Sequence, residues 1–217
     1  MVTVIRKVAP KEIDVLDNIA DIHLQAFEGF FLTFMGKGFL KQMYRSYCEE
    51  QSSGLLAAEE DGNLVGFLAY SGDMSALYKY MIKKRVLIFA WFSLGAFLRK
   101  PAVFMRLLCA FLKPGESNRK ETYMELASIG VSPAVKSKGI GTKLVEELKQ
   151  MTDFGTYAYI TLETDANNNE AVNKFYQKNG FRLEREFMTR EGRRMNEYRY
   201  REGTEMELSV SSQQYQT

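Results

Sequence analysis

The residues whose types and spacing first suggest chemistry lie between Ser128 and Leu144, in the run Ser-Ile-Gly-Val-Ser-Pro-Ala-Val-Lys-Ser-Lys-Gly-Ile-Gly-Thr-Lys-Leu. A predicted strand leads into a loop with two glycines and two lysines, and an amphipathic helix follows at once. The first amides of a helix have no acceptor within the helix, and the helix dipole places partial positive charge there. Glycine lets a bulky anion approach the backbone, so the loop predicts an anion site, most simply for a diphosphate.

Two common phosphate-binding patterns do not match this loop. A P-loop needs a lysine directly after its second glycine, whereas Gly141 is followed by Thr142 and Lys143, and a dinucleotide fingerprint needs a third glycine where Leu144 stands. The run that starts at Lys136 fits the pattern [Gln/Arg]-x-x-Gly-x-[Gly/Ala], with lysine in the first place. It resembles the acyl-CoA loop of the GCN5-related N-acetyltransferases (GNAT). The alternative from this loop alone is a plain strand–turn–helix whose glycines permit close packing.

A second signature of the same family follows downstream. Asn169 stands seven residues before Tyr176, and Gly180-Phe181 closes the segment. One predicted helix and one predicted strand separate this signature from the glycine loop, as in the family. The resemblance covers residues 122–200 well and the rest of the chain more loosely.

The resemblance implies an α/β fold with a mixed, twisted sheet, helices on both faces and a helical insert between strands 3 and 4. It implies direct transfer of an acetyl group from acetyl-CoA to an amine, with no metal. In the family the fourth and fifth strands, here about 123–131 and 157–164, splay apart, and the pantetheine arm pairs with the fourth. The cofactor-binding residues implied in this way are Ile129, Gly130, Val131, Lys136, Ser137, Lys138, Gly139, Ile140, Gly141, Thr142, Asn169 and Phe175.

Two residues are candidates for proton transfer. Tyr176 occupies the place from which the family's tyrosine points at the sulfur, and a protonated phenol can donate to a leaving thiolate. The alternative is that its ring simply packs beside Phe175. Glu125 falls where histone-type members carry their glutamate, and in a regular strand it shares a face with Ala127 and Ile129, toward the cleft. Burial there would raise its pKa and make it a better base.

Acceptor specificity is expected from the segment 28–36 and from the hairpin 185–194. Phe30 and Phe31 are the substrate-binding candidates, since aromatic rings can stack on a sugar or an apolar group. At least two of the four aromatics in or beside the first segment are expected to pack in the core instead. His23, in the first helix, is either a substrate contact or a half-buried helix residue. Within the fourth strand, Gly130 suggests a bulge or a close ligand approach, or a simple irregularity.

The elements that must position these residues alternate between strand and helix. A strand over 3–8, a helix ending near Phe27, an aromatic loop and a helix over 37–50 come first. Asp61-Gly62 predicts the tight turn of a β-hairpin. Residues 74–115 predict two or three helices, and a closing hairpin precedes a polar, frayed tail. We expect a single domain over 1–202, with 74–120 as a basic apolar insert and 203–217 as a disordered tail.

The insert carries a net charge of +9, while the rest of the chain carries −7. Three interpretations stay open: helices that cover one sheet face, a site for an anionic acceptor such as a nucleotide sugar, and shallow docking on an anionic membrane. In outline the insert resembles acetyltransferases associated with bacterial surface-polysaccharide synthesis, which favours an amino sugar as acceptor. Nucleic acid is not expected, because the basic residues alternate with bulky aliphatic ones.

The amino-acid composition excludes several classes of protein. The chain has 217 residues, of which 46% are hydrophobic and 26% charged, so collagen-like and wholly disordered proteins are excluded. Two cysteines and no secretory signal favour a reducing, cytoplasmic location. The function expected is N-acetylation of a small-molecule amine by a monomer or homodimer. The alternatives are acetylation of protein lysines or N-termini, and a non-catalytic acyl-CoA-binding or membrane-peripheral module.

Overall fold

The structure is a computed structural model that describes residues 2–27, 31–99, 101, 121–135, 139–189 and 192–203. Its strands are β1 (Thr3–Lys7), β2 (Ser53–Glu60), β3 (Asn63–Ser71), β4 (Met124–Val131), β5 (Ile160–Asp165), β6 (Arg182–Met188) and β7 (Arg194–Tyr200). Its helices are α1 (Ile13–Ala26), α2 (Phe31–Met35), α3 (Lys37–Glu49), α4 (Met74–Arg99), α5 (Ile140–Met151) and α6 (Glu170–Lys178), with a 3₁₀ turn at Pro133–Val135.

Within the described residues the seven strands form one mixed sheet in the order β1-β2-β3-β4-β5-β7-β6. All neighbouring pairs are antiparallel except β4 and β5, which run parallel. The β2–β3 turn has positive φ at both Asp61 (50°) and Gly62 (78°), the combination that a two-residue hairpin turn of type I′ requires. The hairpin predicted from this dipeptide is confirmed.

Helices cover both faces of the sheet. The first core lies under α1, α3 and the start of α4, and includes Leu55 and Phe67. The second core lies under α5 and α6, and includes Leu56 and Leu68. Successive residues of β2 and β3 therefore enter opposite cores, which explains why these strands are apolar without alternation. The predicted α/β class, with helices on both faces and a helical insert between β3 and β4, is confirmed.

One expectation about the elements needs correction. Residues 31–35 form the short helix α2 instead of continuing the aromatic loop, and Met35 is buried in the first core. Phe27 and Phe34 pack against the same core, as expected for at least two of these aromatics. Within the predicted helical insert, residues 74–99 form one continuous helix, α4. The rest of the predicted insert and the tail from residue 204 lie outside the described residues.

In the described part of the chain, no helix combines the length and apolar composition that crossing a bilayer needs.

Candidate functional site

The site begins where β4 and β5 part. Their parallel pairing comprises only Met124 with Ile160 and Glu125 with Thr161, although β4 continues to Val131 and β5 to Asp165. On their outer edges the two strands stay paired, β4 with β3 and β5 with β7. The sheet thus opens into a cleft after Glu125. Along a strand that has left its neighbour, backbone N–H and C=O groups are available to a ligand that lies beside it.

A β-bulge interrupts β4 at the mouth of this cleft. Ser128 is opposite Ala69 and Leu126 is opposite Tyr70, so Ala127 is an extra residue on β4. A bulge bends the strand and resets the alternation of its side chains. Leu126 and Ile129 both belong to the second core as a result, while Ala127 packs against the first.

The bulge corrects the expected orientation of the candidate base. Glu125 acts electrostatically on Tyr47 and Tyr78, which belong to or pack against the first core. The hydroxyl of Ser128 lies 3.4 Å from that of Tyr44 in the same core. Ser128 therefore shares the face of Glu125, and Ile129 does not, which reverses the prediction from regular alternation.

Gly130 is not the site of the bulge. A Cβ atom at this position would lie 2.6 Å from Cε1 of Phe67, which is fully buried on β3. The two residues are direct partners in the antiparallel ladder. The absence of a side chain at Gly130 is therefore explained by the ring of Phe67 alone.

The glycines of the predicted anion loop have different roles. Gly139 precedes α5 with φ 76°, and a Cβ there would meet no atom of the described residues within 4 Å. Glycine is therefore favoured here for its left-handed backbone conformation. A Cβ at Gly141 would lie 3.1 Å from Cζ of Phe175, so this glycine permits close packing of α5 on α6. The packing alternative thus holds for Gly141.

The start of α5 presents main-chain amides toward this loop. The helical ladder opens with the Lys143 amide donating to the Gly139 carbonyl at 3.0 Å, and none of the described side chains caps the helix at Gly139. The amides of Ile140, Gly141 and Thr142 precede that bond, so they meet the physical requirement for an anion cradle. Lys136, Ser137 and Lys138, which were predicted to bind cofactor, lie outside the described residues.

The second signature anchors α6 to the sheet. Asn169 Nδ2 donates to Thr164 Oγ1 at 2.8 Å and to the Asp165 carbonyl at 3.1 Å. Asn173 Nδ2 donates to the same carbonyl at 3.0 Å, and its Oδ1 accepts from Tyr198 Oη at 3.0 Å. The side-chain amide of Asn169 thus hydrogen-bonds to the end of β5 and holds the start of α6 there.

Tyr176 combines a packed ring with a protonated phenol. Its ring lies in the second core, with centroids 5.2 Å from Phe175, 5.9 Å from Phe181 and 6.1 Å from Tyr198. Burial raises the pKa of Tyr176 well above its ordinary value of 10. The hydroxyl therefore keeps its proton at neutral pH and remains a donor.

A chain of polar groups runs from the bulge into the first core. Nδ1 of His23 and the hydroxyl of Tyr44 are 2.6 Å apart, and the Tyr44 hydroxyl continues to Ser128. His23 is 3% exposed, not half-buried, and its Nε2 has no hydrogen-bond partner within the described part of the chain. Burial lowers the pKa of His23 to about 4, so the imidazole is neutral at pH 7. His23 is therefore a buried member of this series of polar groups and not a surface contact for substrate.

Comparison with known proteins identifies the family to which this chain belongs. A family model described as the acetyltransferase (GNAT) family matches residues 16–181, which is most of the chain. The chain belongs to the acetyltransferase (GNAT) family. The enzyme class expected from the two signatures is thereby confirmed. A search of curated protein sequences finds no match.

Solved structures of GNAT proteins share the fold. A GNAT-family protein from Desulfovibrio desulfuricans aligns with TM-score 0.59 at 14% identity over 92% of this chain and 99% of its own. An N-acetyltransferase from Staphylococcus aureus aligns with TM-score 0.57 at 15% identity over 93% and 99%. NAA60 from Arabidopsis thaliana, in a complex with acetyl-CoA, aligns with TM-score 0.54 at 16% identity over 93% and 99%.

The two expected aromatic substrate contacts of this GNAT chain are Phe30 and Phe31. Phe30 lies outside the described residues, and Phe31 is described only as the first backbone position of α2. The arm formed by β6 and β7 carries an ion-paired surface, in which Arg185 Nε lies 2.7 Å from the buried carboxylate of Glu197. Among the described residues, no group of three or more His, Cys, Asp or Glu side chains could hold a metal ion.

Sequence reasoning did not single out three tyrosines on the side of the sheet that carries Glu125 and Ser128. Tyr44 and Tyr47 lie on the buried side of α3, and Tyr78 lies on α4, in the insert. Burial, together with the carboxylates of Glu125 and Glu163, raises the pKa of Tyr78 to about 12. The spacing of Tyr44 and Tyr47 places both on one helix face, but only the tertiary contact with β4 reveals which face meets the cleft.

Proposed function

We propose that the chain transfers the acetyl group of acetyl-CoA directly to a primary amine of a small molecule. The observation that carries this proposal is the parting of β4 from β5 after Glu125, between the amide-rich start of α5 and the polar face around Ser128. The two sides of the opening have different chemistry. One presents main-chain donors suited to a diphosphate, and the other presents a carboxylate and hydroxyl groups suited to an amine.

Acetyl-CoA supplies an activated thioester when bound. The cradle for its pyrophosphate is formed by the amides of Ile140, Gly141 and Thr142, together with Lys136, Ser137, Lys138 and Gly139. The backbone of Ile129, Gly130 and Val131 provides the edge for the pantetheine arm, and Phe175 closes the cleft behind Gly141. Asn169 acts indirectly, because its side chain holds the first turn of α6 against β5.

Glu125 takes the proton of the incoming ammonium, directly or through water, so that the amine has a free lone pair. A main-chain amide of β4 stabilises the developing negative charge on the carbonyl oxygen. Tyr176 donates its proton to the departing sulfur, because its phenol is protonated at neutral pH. The C–N bond forms and the C–S bond breaks. The amine nitrogen loses two protons: one is released through Glu125 and the other restores the phenol of Tyr176, so the net reaction releases one proton.

The acceptor class that we favour is an amino sugar. Tyr78 is half-buried on the same side as Glu125, and an aromatic ring beside a carboxylate suits a sugar face that carries an ammonium group. Phe30 and Phe31 are the further candidates for this contact. Protein lysines and N-termini are the second acceptor class. A panel of amino sugars, polyamines, amino acids and peptides, each at the same concentration, separates these classes by the rate of thiol release.

The residue roles are tested by acetyl-CoA turnover followed as free thiol. Glu125→Gln and Tyr176→Phe should each lower kcat by about 10²-fold or more, with little change in acetyl-CoA affinity measured by titration calorimetry. Glu184→Gln and Tyr200→Phe are the matched controls, because Glu184 lies on outer strand β6 and Tyr200 is another buried phenol of the second core. Equal losses in the candidate and control variants would contradict the assigned roles.

A non-catalytic acyl-CoA sensor is the competing function from another class. It predicts heat of binding with CoA and no thiol release with any amine of the panel. Binding of NAD or ATP in place of CoA would instead refute the assignment of the cradle.

A further inference from the structure

One face of helix α4 packs against the rest of the protein. Leu77 and Met81 are buried in the first core, and Phe89 packs against it. Arg85 is also buried, and its Nε donates to Glu49 Oε2 on α3 at 3.2 Å. These contacts fix which side of the helix faces the sheet.

The opposite face of α4 is exposed and apolar. Leu87 is 82% exposed, Trp91 73% and Leu98 70%, and Leu94 is exposed between them. These four residues follow the spacing i, i+4, i+7 and i+11, which places them in a single stripe along the helix. Exposed apolar stripes of this length mark surfaces that meet a partner or a lipid phase.

The same stripe begins with lysines. Lys79 and Lys83 lie eight and four residues before Leu87, and both are exposed. They also line a shallow cavity of about 410 Å³ at the junction of α3 and α4. Residues 74–99 contain five basic residues and no acidic one. The stripe is thus cationic at its N-terminal end and apolar along the rest of its length.

We propose that this stripe docks on the surface of an anionic lipid bilayer. Lysine side chains reach lipid phosphates while the apolar stripe enters the acyl boundary, because both chemical layers lie within a few ångströms of depth at a bilayer surface. A second copy of the chain fits less well. It would bury Lys79 and Lys83 against each other in a parallel contact, or against Leu94 and Leu98 in an antiparallel one, and either arrangement strips charge of its solvent.

The chain offers an internal probe for this docking, since Trp91 is its single tryptophan. Adding vesicles of phosphatidylcholine mixed with phosphatidylglycerol should shift the emission of Trp91 to shorter wavelength, and lipids brominated on the acyl chain should quench it. Vesicles of phosphatidylcholine alone should have a much weaker effect, and rising salt should reverse the shift. Co-sedimentation of the full chain with the same vesicles measures the partition coefficient.

Three variants test the assignment to the stripe. Lys79→Gln with Lys83→Gln should lower the partition coefficient by about fivefold for each lysine, hence about 25-fold for the pair. Leu87→Glu should abolish the emission shift. Leu183→Glu is the control, because Leu183 is 50% exposed on β6, away from α4, and should bind as the wild type does.

The proposal stands apart from the catalytic assignment, because none of these readouts requires turnover. No shift and no co-sedimentation with anionic vesicles at low salt would overturn it. A shift that appears without lipid as protein concentration rises would also overturn it, in favour of self-association through α4. Equal vesicle binding by wild type and Leu87→Glu would show that the stripe is not part of the membrane contact.

Discussion

Acidification should destabilise this fold in part through the buried imidazole of His23. Burial lowers the pKa of His23 from 6.5 to about 4 in the folded chain, and unfolding returns the ring to water. Between these two pH values the unfolded state binds a proton that the folded state rejects, so stability falls as pH falls. At about 1.4 kcal/mol per pKa unit, His23 contributes about 3 kcal/mol to the free energy of unfolding above pH 6.5, and this contribution is lost as the pH approaches 4.

The assay compares urea unfolding of wild type and His23→Asn at several pH values between 4 and 7. Asparagine retains an acceptor for the Tyr44 hydroxyl and does not titrate, while both proteins carry the same carboxylates. The wild type should therefore lose about 3 kcal/mol more than the variant across this range. Because His23 is the chain's one histidine, proton NMR follows its ring without ambiguity. A ring that titrates near 6.5 in the folded protein, or parallel pH profiles for the two proteins, would refute the reasoning.

Three further outcomes are expected from single substitutions. Gly130→Ala should lower the free energy of unfolding by about 1–3 kcal/mol, because its Cβ would meet the ring of Phe67; an unchanged urea midpoint would contradict this. Gly139→Ala should cost about 1–2 kcal/mol for its left-handed φ, and Gly139→Asn should recover much of that cost; equal urea midpoints for the two variants would count against it. Ser128→Ala should lower kcat/KM for the amine by about fivefold, the value of one hydrogen bond, and leave the KM for acetyl-CoA unchanged; a steady-state effect confined to acetyl-CoA would place Ser128 on the other side of the cleft.

Local signals explain the parts of the fold that the sequence predicted well. Asp61-Gly62 specifies a turn because few residues adopt positive φ at both positions. The two GNAT signatures are contiguous segments, so their order along the chain is enough to indicate the family. The amphipathic pattern of α5 predicts its buried side for the same reason.

Features that depend on pairing between distant segments were missed or misplaced. The bulge at Ala127 is set by the register of β4 against β3, and nothing in its immediate neighbours announces it. This one extra residue decides that Ser128, and not Ile129, joins the face of Glu125. A glycine within a strand often marks a bulge, which is why Gly130 suggested one. In the structure, Gly130 is required because a side chain there would collide with the ring of Phe67.

The amino-acid sequence by itself determined the family, the alternation of strands and helices, and the glycine-bounded start of α5, since each depends on residues close together in the chain. Only the tertiary structure decided which side chains meet at the cleft. Tyr44 and Ser128 come together because α3 packs on the face of the sheet to which Ser128 points, and His23 is neutral because the first core closes over it. Burial and strand register arise from contacts between distant segments, and such contacts leave no local pattern from which they could be read.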